Sequence, residues 1–118
     1  MADLVACLGN DNASVNHVLK VIQSMEWENI FIISNNANKD NLKVKDKVTN
    51  VIIDETKYLE EIVDEIVKKL KGKIKKNDVA LNLISGSGKE HMAVISALLK
   101  LGLGIRLIAL TPKGVKEV

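Results

Sequence analysis

Five short apolar runs punctuate the chain, and most of them are rich in Val, Ile and Leu. Runs of this length, bounded by polar residues, are typical of strands that a sheet buries on both faces. We therefore predict five strands, at Leu4–Leu8, Asn29–Ser34, Val48–Ile53, Val79–Ile84 and Gly104–Leu110.

Between most of these runs, apolar residues recur at helical spacing. The clearest helix spans Tyr58–Lys71, and Gly72 is a typical residue just past a helix end. Ser14 is a suitable N-cap for an earlier helix. A third helix opens in the segment 85–90 and runs through Leu101.

Two further segments lack a clear period. Residues 35–47 are polar and rich in Asn and Lys, which predicts a loop rather than a crossover helix. Residues 113–118 form either a short edge strand or an irregular tail.

Strands that alternate with helices are joined by right-handed crossovers into a parallel sheet. We expect an α/β fold, a Rossmann-like three-layer sandwich with a mostly parallel five- or six-stranded sheet, in one domain spanning residues 1–118. Ligands of such sheets bind beyond the carboxyl ends of the strands, where the strand order reverses. The polar loops Gly9–Ser14 and Ser85–Lys89 follow the first and fourth strands.

Composition narrows the classes of function. The net charge of +2 is too small to indicate nucleic-acid binding, so we expect no direct DNA contact. The lone cysteine, Cys7, excludes an intrachain disulfide and fits a reducing compartment. Neither a signal peptide nor an apolar run of membrane-spanning length is present, which predicts a cytoplasmic protein without membrane contact.

No group of Cys, His and Asp has the spacing of metal ligands. We therefore predict neither a metal nor a cofactor. His17 and His91 are isolated in the sequence and are interpreted as surface histidines.

The segment from Ser85 to Lys89 carries the strongest chemical signal. Its glycines, Gly86 and Gly88, allow close approach of a ligand to the backbone, and its hydroxyls and lysine suit phosphate oxygens. It lacks the glycine spacing and the final Ser or Thr of a P-loop. Ser87 and Glu90 also form the S-x-x-E pattern of a capping box, which is the structural alternative.

The loop after the first strand is the second signal, because Asn10, Asp11 and Asn12 are consecutive Asx residues. Their side chains suit ribose hydroxyls or base edges, and an Asx-rich turn is the alternative. Asn82, near the end of an apolar strand, either orients the Ser85 loop or faces a partner or solvent. Cys7 is interpreted as a buried strand residue, with a phosphocysteine carrier as the alternative.

Taken together, the two loops resemble the CARF family (CRISPR-associated Rossmann fold). The family pattern has a first strand that ends in a Gly-containing loop with a helix-capping Ser or Thr. Its fourth strand leads into Asn-x-(Ser/Thr)-Gly-Gly-(Thr/Ser)-(Arg/Lys)-x-Met. The corresponding segments here are 8–14 (LGNDNAS) and 82–92 (NLISGSGKEHM), and Gly-Ser-Gly replaces the family's Gly-Gly-Thr.

The resemblance implies a stand-alone or isolated CARF domain that binds a cyclic oligoadenylate in type III CRISPR signalling, an antiviral defence. It also implies a homodimer with the ligand on the two-fold axis. The implied ligand-binding residues are Gly9, Asn10, Asp11, Ser14, Ser85, Gly86, Ser87, Gly88 and Lys89.

Some stand-alone family members are ring nucleases that cut the ligand without metal, through attack of the ribose 2′-hydroxyl, and leave a 2′,3′-cyclic phosphate. Lys89 and Ser14 are the catalytic candidates that this activity implies, but no side chain is a clear general base. Enzyme status therefore stays open. The alternative is a generic nucleotide- or phosphate-binding regulatory protein without catalysis.

The third helix has more apolar surface than one sheet face needs, counting Ala93, Ile95, Ala97 and Leu98. We therefore expect part of this helix, or the loops beside it, to lie at the two-fold interface.

Overall fold

The structure, a computed structural model, describes residues 2–42 and 48–118. Its strands are β1 (Ala2–Cys7), β2 (Trp27–Ser34), β3 (Val48–Ile52), β4 (Asp78–Asn82), β5 (Gly104–Thr111) and β6 (Gly114–Glu117). Its helices are α1 (Asn12–Gln23), α2 (Leu59–Leu70) and α3 (Gly88–Lys100).

These strands form a six-stranded sheet in the order β3-β2-β1-β4-β5-β6. The first five are parallel, and β6 runs antiparallel to β5 along the edge. From β1 the chain moves outward to β3, returns to the other side of β1 as β4, and moves outward again. The strand order therefore reverses between β1 and β4, which defines the switch point where such sheets hold ligands.

Both faces of the sheet are covered. Alternate residues of a strand point to opposite faces, so Val5 and Cys7 pack under α2 and α3, whereas Leu4 and Ala6 pack against α1. The structure is thus a three-layer sandwich around an aliphatic core, and the α/β Rossmann-like fold expected from the sequence is confirmed.

The helix predicted over Tyr58–Lys71 is confirmed, with those two residues as its N-cap and C-cap. Its apolar stripe is buried against the sheet. Within the described part of the predicted 35–47 loop, residues 35–42 form turns and no helix, and residues 43–47 lie outside the described residues.

Ser14 is not the N-cap of α1, so that prediction is wrong. Asp11 caps the helix instead, and its Oδ2 accepts a hydrogen bond from the Ser14 N–H at 2.9 Å. Two good cap residues stand three positions apart here, and the carboxylate of the first takes the N–H of the second. The Ser14 side chain lies in the first turn and is left for a tertiary contact.

Strand β4 ends at Asn82, two residues before the predicted end. The Asn82 Oδ1 accepts a hydrogen bond from the Ile84 N–H at 3.3 Å, which turns the chain out of the sheet. Ile84 is consequently exposed although its residue type suits a strand interior.

Helix α3 does expose apolar surface, but the prediction of which residues form it is mostly wrong. Ala93, Ala97 and Leu98 are fully buried in the core between α3 and the sheet. The exposed apolar side chains of this helix are instead Met92 and Leu99, with the half-buried Ile95 between them. Among the described helices, none is long and apolar enough to cross a bilayer.

Candidate functional site

A cleft of about 530 Å³ lies beyond the carboxyl ends of the parallel strands. Its size is in the range of small-molecule sites. The β1–α1 loop, the β2–β3 connection, the β3–α2 loop and the β4–α3 loop each contribute to its walls. The residues that line it are Gly9, Asn10, Asp11, Ser14, Asn35, Ala37, Asn38, Glu55, Ile84, Gly86, Ser87 and Glu90.

Hydrogen bonds through two serine hydroxyls connect the two loops that the sequence singled out, Gly9–Ser14 and Ser85–Lys89. The Gly9 N–H donates to Ser85 Oγ at 2.8 Å, and Ser85 Oγ lies 2.9 Å from Ser14 Oγ. Because Ser14 Oγ donates to the Asp11 carbonyl at 3.1 Å, it accepts the Ser85 proton. Ser85 is buried beneath the cleft, so it joins the loops rather than facing a ligand.

Two glycines let these loops approach each other. A Cβ on Gly9 would lie 3.0 Å from the Gly86 nitrogen, tighter than most Cβ contacts in proteins, so the Gly86 backbone would have to shift. Gly86 has a φ of +94°, which disfavours any L side chain, and a Cβ there would meet the Cys7 Cβ at 3.2 Å. The close backbone packing of the switch point therefore favours glycine at both positions, and most strongly at Gly86 because of its positive φ.

The β4–α3 loop ends in the capping box that its sequence predicted. Ser87 Oγ accepts from the Glu90 N–H at 3.2 Å, and Glu90 Oε1 accepts from the Ser87 N–H at 2.9 Å. The first helical N–H groups, those of Gly88 and Lys89, have no acceptor within the helix. They are the donors that α3 can offer to a ligand.

Glu90 is almost completely buried, although it also lines the cleft. Its Oε2 is shielded from solvent and has no hydrogen-bond partner among the described residues. Nor does a Lys or Arg of the described part form a salt bridge with it. The floor of the cleft thus holds a buried carboxyl group that no Lys or Arg of the described ranges pairs with.

Lys89 does not line the cleft. Its ammonium donates to the backbone carbonyls of Glu55 and Lys57, at 2.9 and 2.6 Å, and so ties the start of α3 to the β3–α2 loop. Among the residues that form the cleft wall, Asp11, Glu55 and Glu90 are acidic and none is basic. The cleft of a single chain is therefore negatively charged.

The two histidines, interpreted from the sequence as surface residues, are partly exposed, and the imidazole of each makes a hydrogen bond. His91 Nε2 lies 2.7 Å from the Ser85 carbonyl and must donate to it. His17 Nε2 receives the Leu110 N–H at 3.2 Å and lies 3.1 Å from Asn82 Nδ2, so it must be unprotonated. Burial lowers the pKa of His17, which favours this neutral state.

The side chain of Asn82 is buried, and both its nitrogen and its oxygen make hydrogen bonds within the chain. Its Nδ2 donates to the Ile108 carbonyl at 2.9 Å while its Oδ1 holds the Ile84 N–H. Of the positions left open by the sequence, the structure supports the one in which Asn82 orients the loop that contains Ser85.

Cys7 is fully buried in the sheet, as the sequence suggested. Burial raises the pKa of its thiol far above the usual range, and the negative charge of Glu90 raises it further. A thiolate nucleophile is disfavoured at this position, so nothing in the geometry supports a phosphocysteine carrier.

Six of the nine predicted ligand residues line the cleft, namely Gly9, Asn10, Asp11, Ser14, Gly86 and Ser87. Ser85, Gly88 and Lys89 lie next to it without lining it. Sequence reasoning missed Asn35, Asn38, Glu55 and Glu90 as wall residues. The Asn-rich stretch directly after β2 was a usable signal, because it follows a strand adjacent to β1.

Among the described residues, no three His, Cys, Asp or Glu side chains lie close enough to form a metal site. Fold and cleft together define a Rossmann-like α/β protein with a ligand-sized cleft at its switch point. No protein-family model and no curated protein sequence matches the chain.

Proposed function

We propose that this chain is a CARF-like domain that binds a cyclic oligoadenylate at the switch-point cleft. The observation that carries the proposal is the hydrogen-bond chain Gly9–Ser85–Ser14, which joins the two segments on which the family resemblance rests. A ligand that contacts one of these loops therefore meets the other.

The hydrogen-bonding character of the cleft suits parts of a nucleotide. The amides of Asn10, Asn35 and Asn38 stand on its wall, and they can donate to or accept from base edges and ribose hydroxyls. The free N–H groups at the starts of α1 and α3 can donate to phosphate oxygens.

The size of the cleft supports a homodimer. About 530 Å³ fits one drug-sized molecule, and a ring of four or six adenylates is several times a single nucleotide. Two copies related by a two-fold axis would present two such clefts to a ring that has the same symmetry.

Binding without cleavage is the better supported activity. Ser14 Oγ is held between Ser85 and the Asp11 carbonyl, and the Lys89 ammonium is held by two carbonyls outside the cleft. A serine hydroxyl and a protonated ammonium are not general bases, so neither takes the proton of a ribose 2′-hydroxyl. Ring-nuclease activity is the second candidate function, because Ser14 lines the cleft wall.

The proposal is tested by titrating the protein with cyclic tetra-adenylate and cyclic hexa-adenylate, following binding by calorimetry and cleavage by chromatography. We expect Lys89→Ala to lower affinity about tenfold to hundredfold, because its ammonium can turn from the two carbonyls to a ligand phosphate. Lys113→Ala, which removes another exposed lysine, in the β5–β6 turn, is the matched control.

Three outcomes separate the readings. Binding without products, weakened by Lys89→Ala only, identifies a sensor. Products with a 2′,3′-cyclic phosphate identify a ring nuclease. If neither ring binds, the proposed role of the loop is wrong. If the parent and Lys89→Ala bind with equal affinity, the proposed role of its lysine is wrong.

A further inference from the structure

A carboxylate of the chain itself stands beside the start of α3, where the Gly88 and Lys89 N–H groups remain free for a ligand. A helix N-terminus carries roughly half a positive elementary charge. Glu90 places a formal negative charge close by, and its Oε1 accepts a hydrogen bond from the Ser87 N–H. The sum is negative, so this helix start is a poorer phosphate site than an N-terminus without such a carboxylate.

The second oxygen of Glu90 is buried beside the cleft without a partner within residues 2–42 and 48–118, so its charge acts on a ligand there. Glu90 is only 2% exposed, and its Oε2 has no hydrogen-bond partner in the described part of the chain. Water screens a buried charge less than an exposed one, so its field acts on whatever occupies the cleft it lines. Glu55 and Asp11 add negative charge to the same wall.

We infer that Glu90 is a specificity-determining residue, which makes the cleft accept phosphodiesters and reject terminal phosphomonoesters. This inference rests on the proposed function. A phosphodiester carries one negative charge, whereas a monoester carries nearly two at neutral pH, because its second pKa is about 6. Repulsion by the buried carboxylate therefore opposes the monoester about twice as strongly.

The consequence is discrimination between a closed ring and other adenylates. A cyclic oligonucleotide contains only diesters, whereas AMP and 5′-phosphorylated linear fragments end in a monoester. The cleft would thus exclude abundant mononucleotides through a charge that does not touch the base.

The experiment uses three probes at pH 8, where the monoester is fully ionised: adenosine, the dinucleoside monophosphate ApA, and AMP. Backbone amide NMR of the full chain follows Gly86, Gly88 and Lys89 up to millimolar concentrations. We expect the parent to bind ApA at least about tenfold more tightly than AMP. We expect Glu90→Gln to bring the two affinities within a fewfold of each other, mainly by improving AMP.

Glutamine keeps the capping-box hydrogen bond while it removes the charge. Glu55→Gln, an exposed carboxylate on the same wall, should change the preference in the same direction but less, because solvent screens it. Glu26→Gln makes the same charge change at the opposite, amino end of the sheet and should change nothing.

Adenosine has no phosphate, so its affinity should not change in any variant. An unchanged ratio of ApA to AMP affinity in Glu90→Gln, or a parent that prefers AMP, overturns this inference and leaves the proposed function standing. Absence of amide shifts with all three probes and with both cyclic adenylates overturns the proposed function itself, and this inference with it.

Discussion

At the scale of single residues, the site depends on a position where any side chain is strained. Gly86 combines a left-handed backbone conformation with a close approach to Cys7. Gly88, two residues later, has open space around its would-be Cβ and no positive φ. The same substitution at the two glycines therefore has opposite physical consequences.

We expect Gly86→Ala to lower the free energy of unfolding by about 1–3 kcal/mol, because the methyl group adds backbone strain and a contact with the Cys7 Cβ. Gly88→Ala should be neutral or slightly stabilising, since alanine is favoured over glycine in a helix. Urea unfolding of the two variants checks this. Equal losses in both would show that the strain assigned to Gly86 is absent.

At the scale of elements, α1 is joined to the ends of β4 and β5 through the imidazole of His17. Its Nε2 accepts from the Leu110 N–H and faces Asn82, which in turn holds the Ile84 N–H. Protonation of Nε2 removes this acceptor, so the arrangement needs a neutral histidine.

We expect stability to fall as the pH drops below about 6.5. Burial lowers the pKa of His17 in the folded state, so the unfolded chain takes up the proton first, and the stabilisation is complete only above the unfolded pKa. Urea midpoints of the parent at pH 7.5 and 5.5 should differ more than those of His17→Gln, which does not titrate. An identical pH dependence in both proteins would contradict this.

At the scale of the whole molecule, an exposed apolar stripe runs along the outer face of α3. Met92 and Leu99 are 62% and 61% exposed, and Ile95 lies between them. Helix residues three and four apart share a face, so these side chains form one surface. It is the surface that we propose for the homodimer, in place of the buried residues expected from the sequence.

We expect a dimer by light scattering at tens of micromolar, and a monomer after Leu99→Lys, because a lysine would have to be buried at the apolar contact. Met25→Lys is the control, since Met25 is similarly exposed at 52% but follows α1 on the opposite layer. A monomeric parent, or dissociation caused equally by Met25→Lys, would contradict this assignment.

The sequence by itself determined what depends on near neighbours. Apolar runs and helical periodicity predicted the five parallel strands and the three helices, because each element expresses its own local pattern of burial. The Ser87–Glu90 capping box was also predictable, since its partners stand three residues apart. The alternation of strands and helices placed the two motif loops at one edge of the sheet.

Only the tertiary structure decided which side chains face the cleft. The Ser14 hydroxyl finds Ser85, 71 positions away, once Asp11 has taken over the cap. The Lys89 ammonium turns to carbonyls of a loop more than thirty positions earlier, while Glu90, its neighbour, is buried in the cleft floor. Local sequence does not encode such contacts, because they depend on the closeness of segments that the packed sheet brings together.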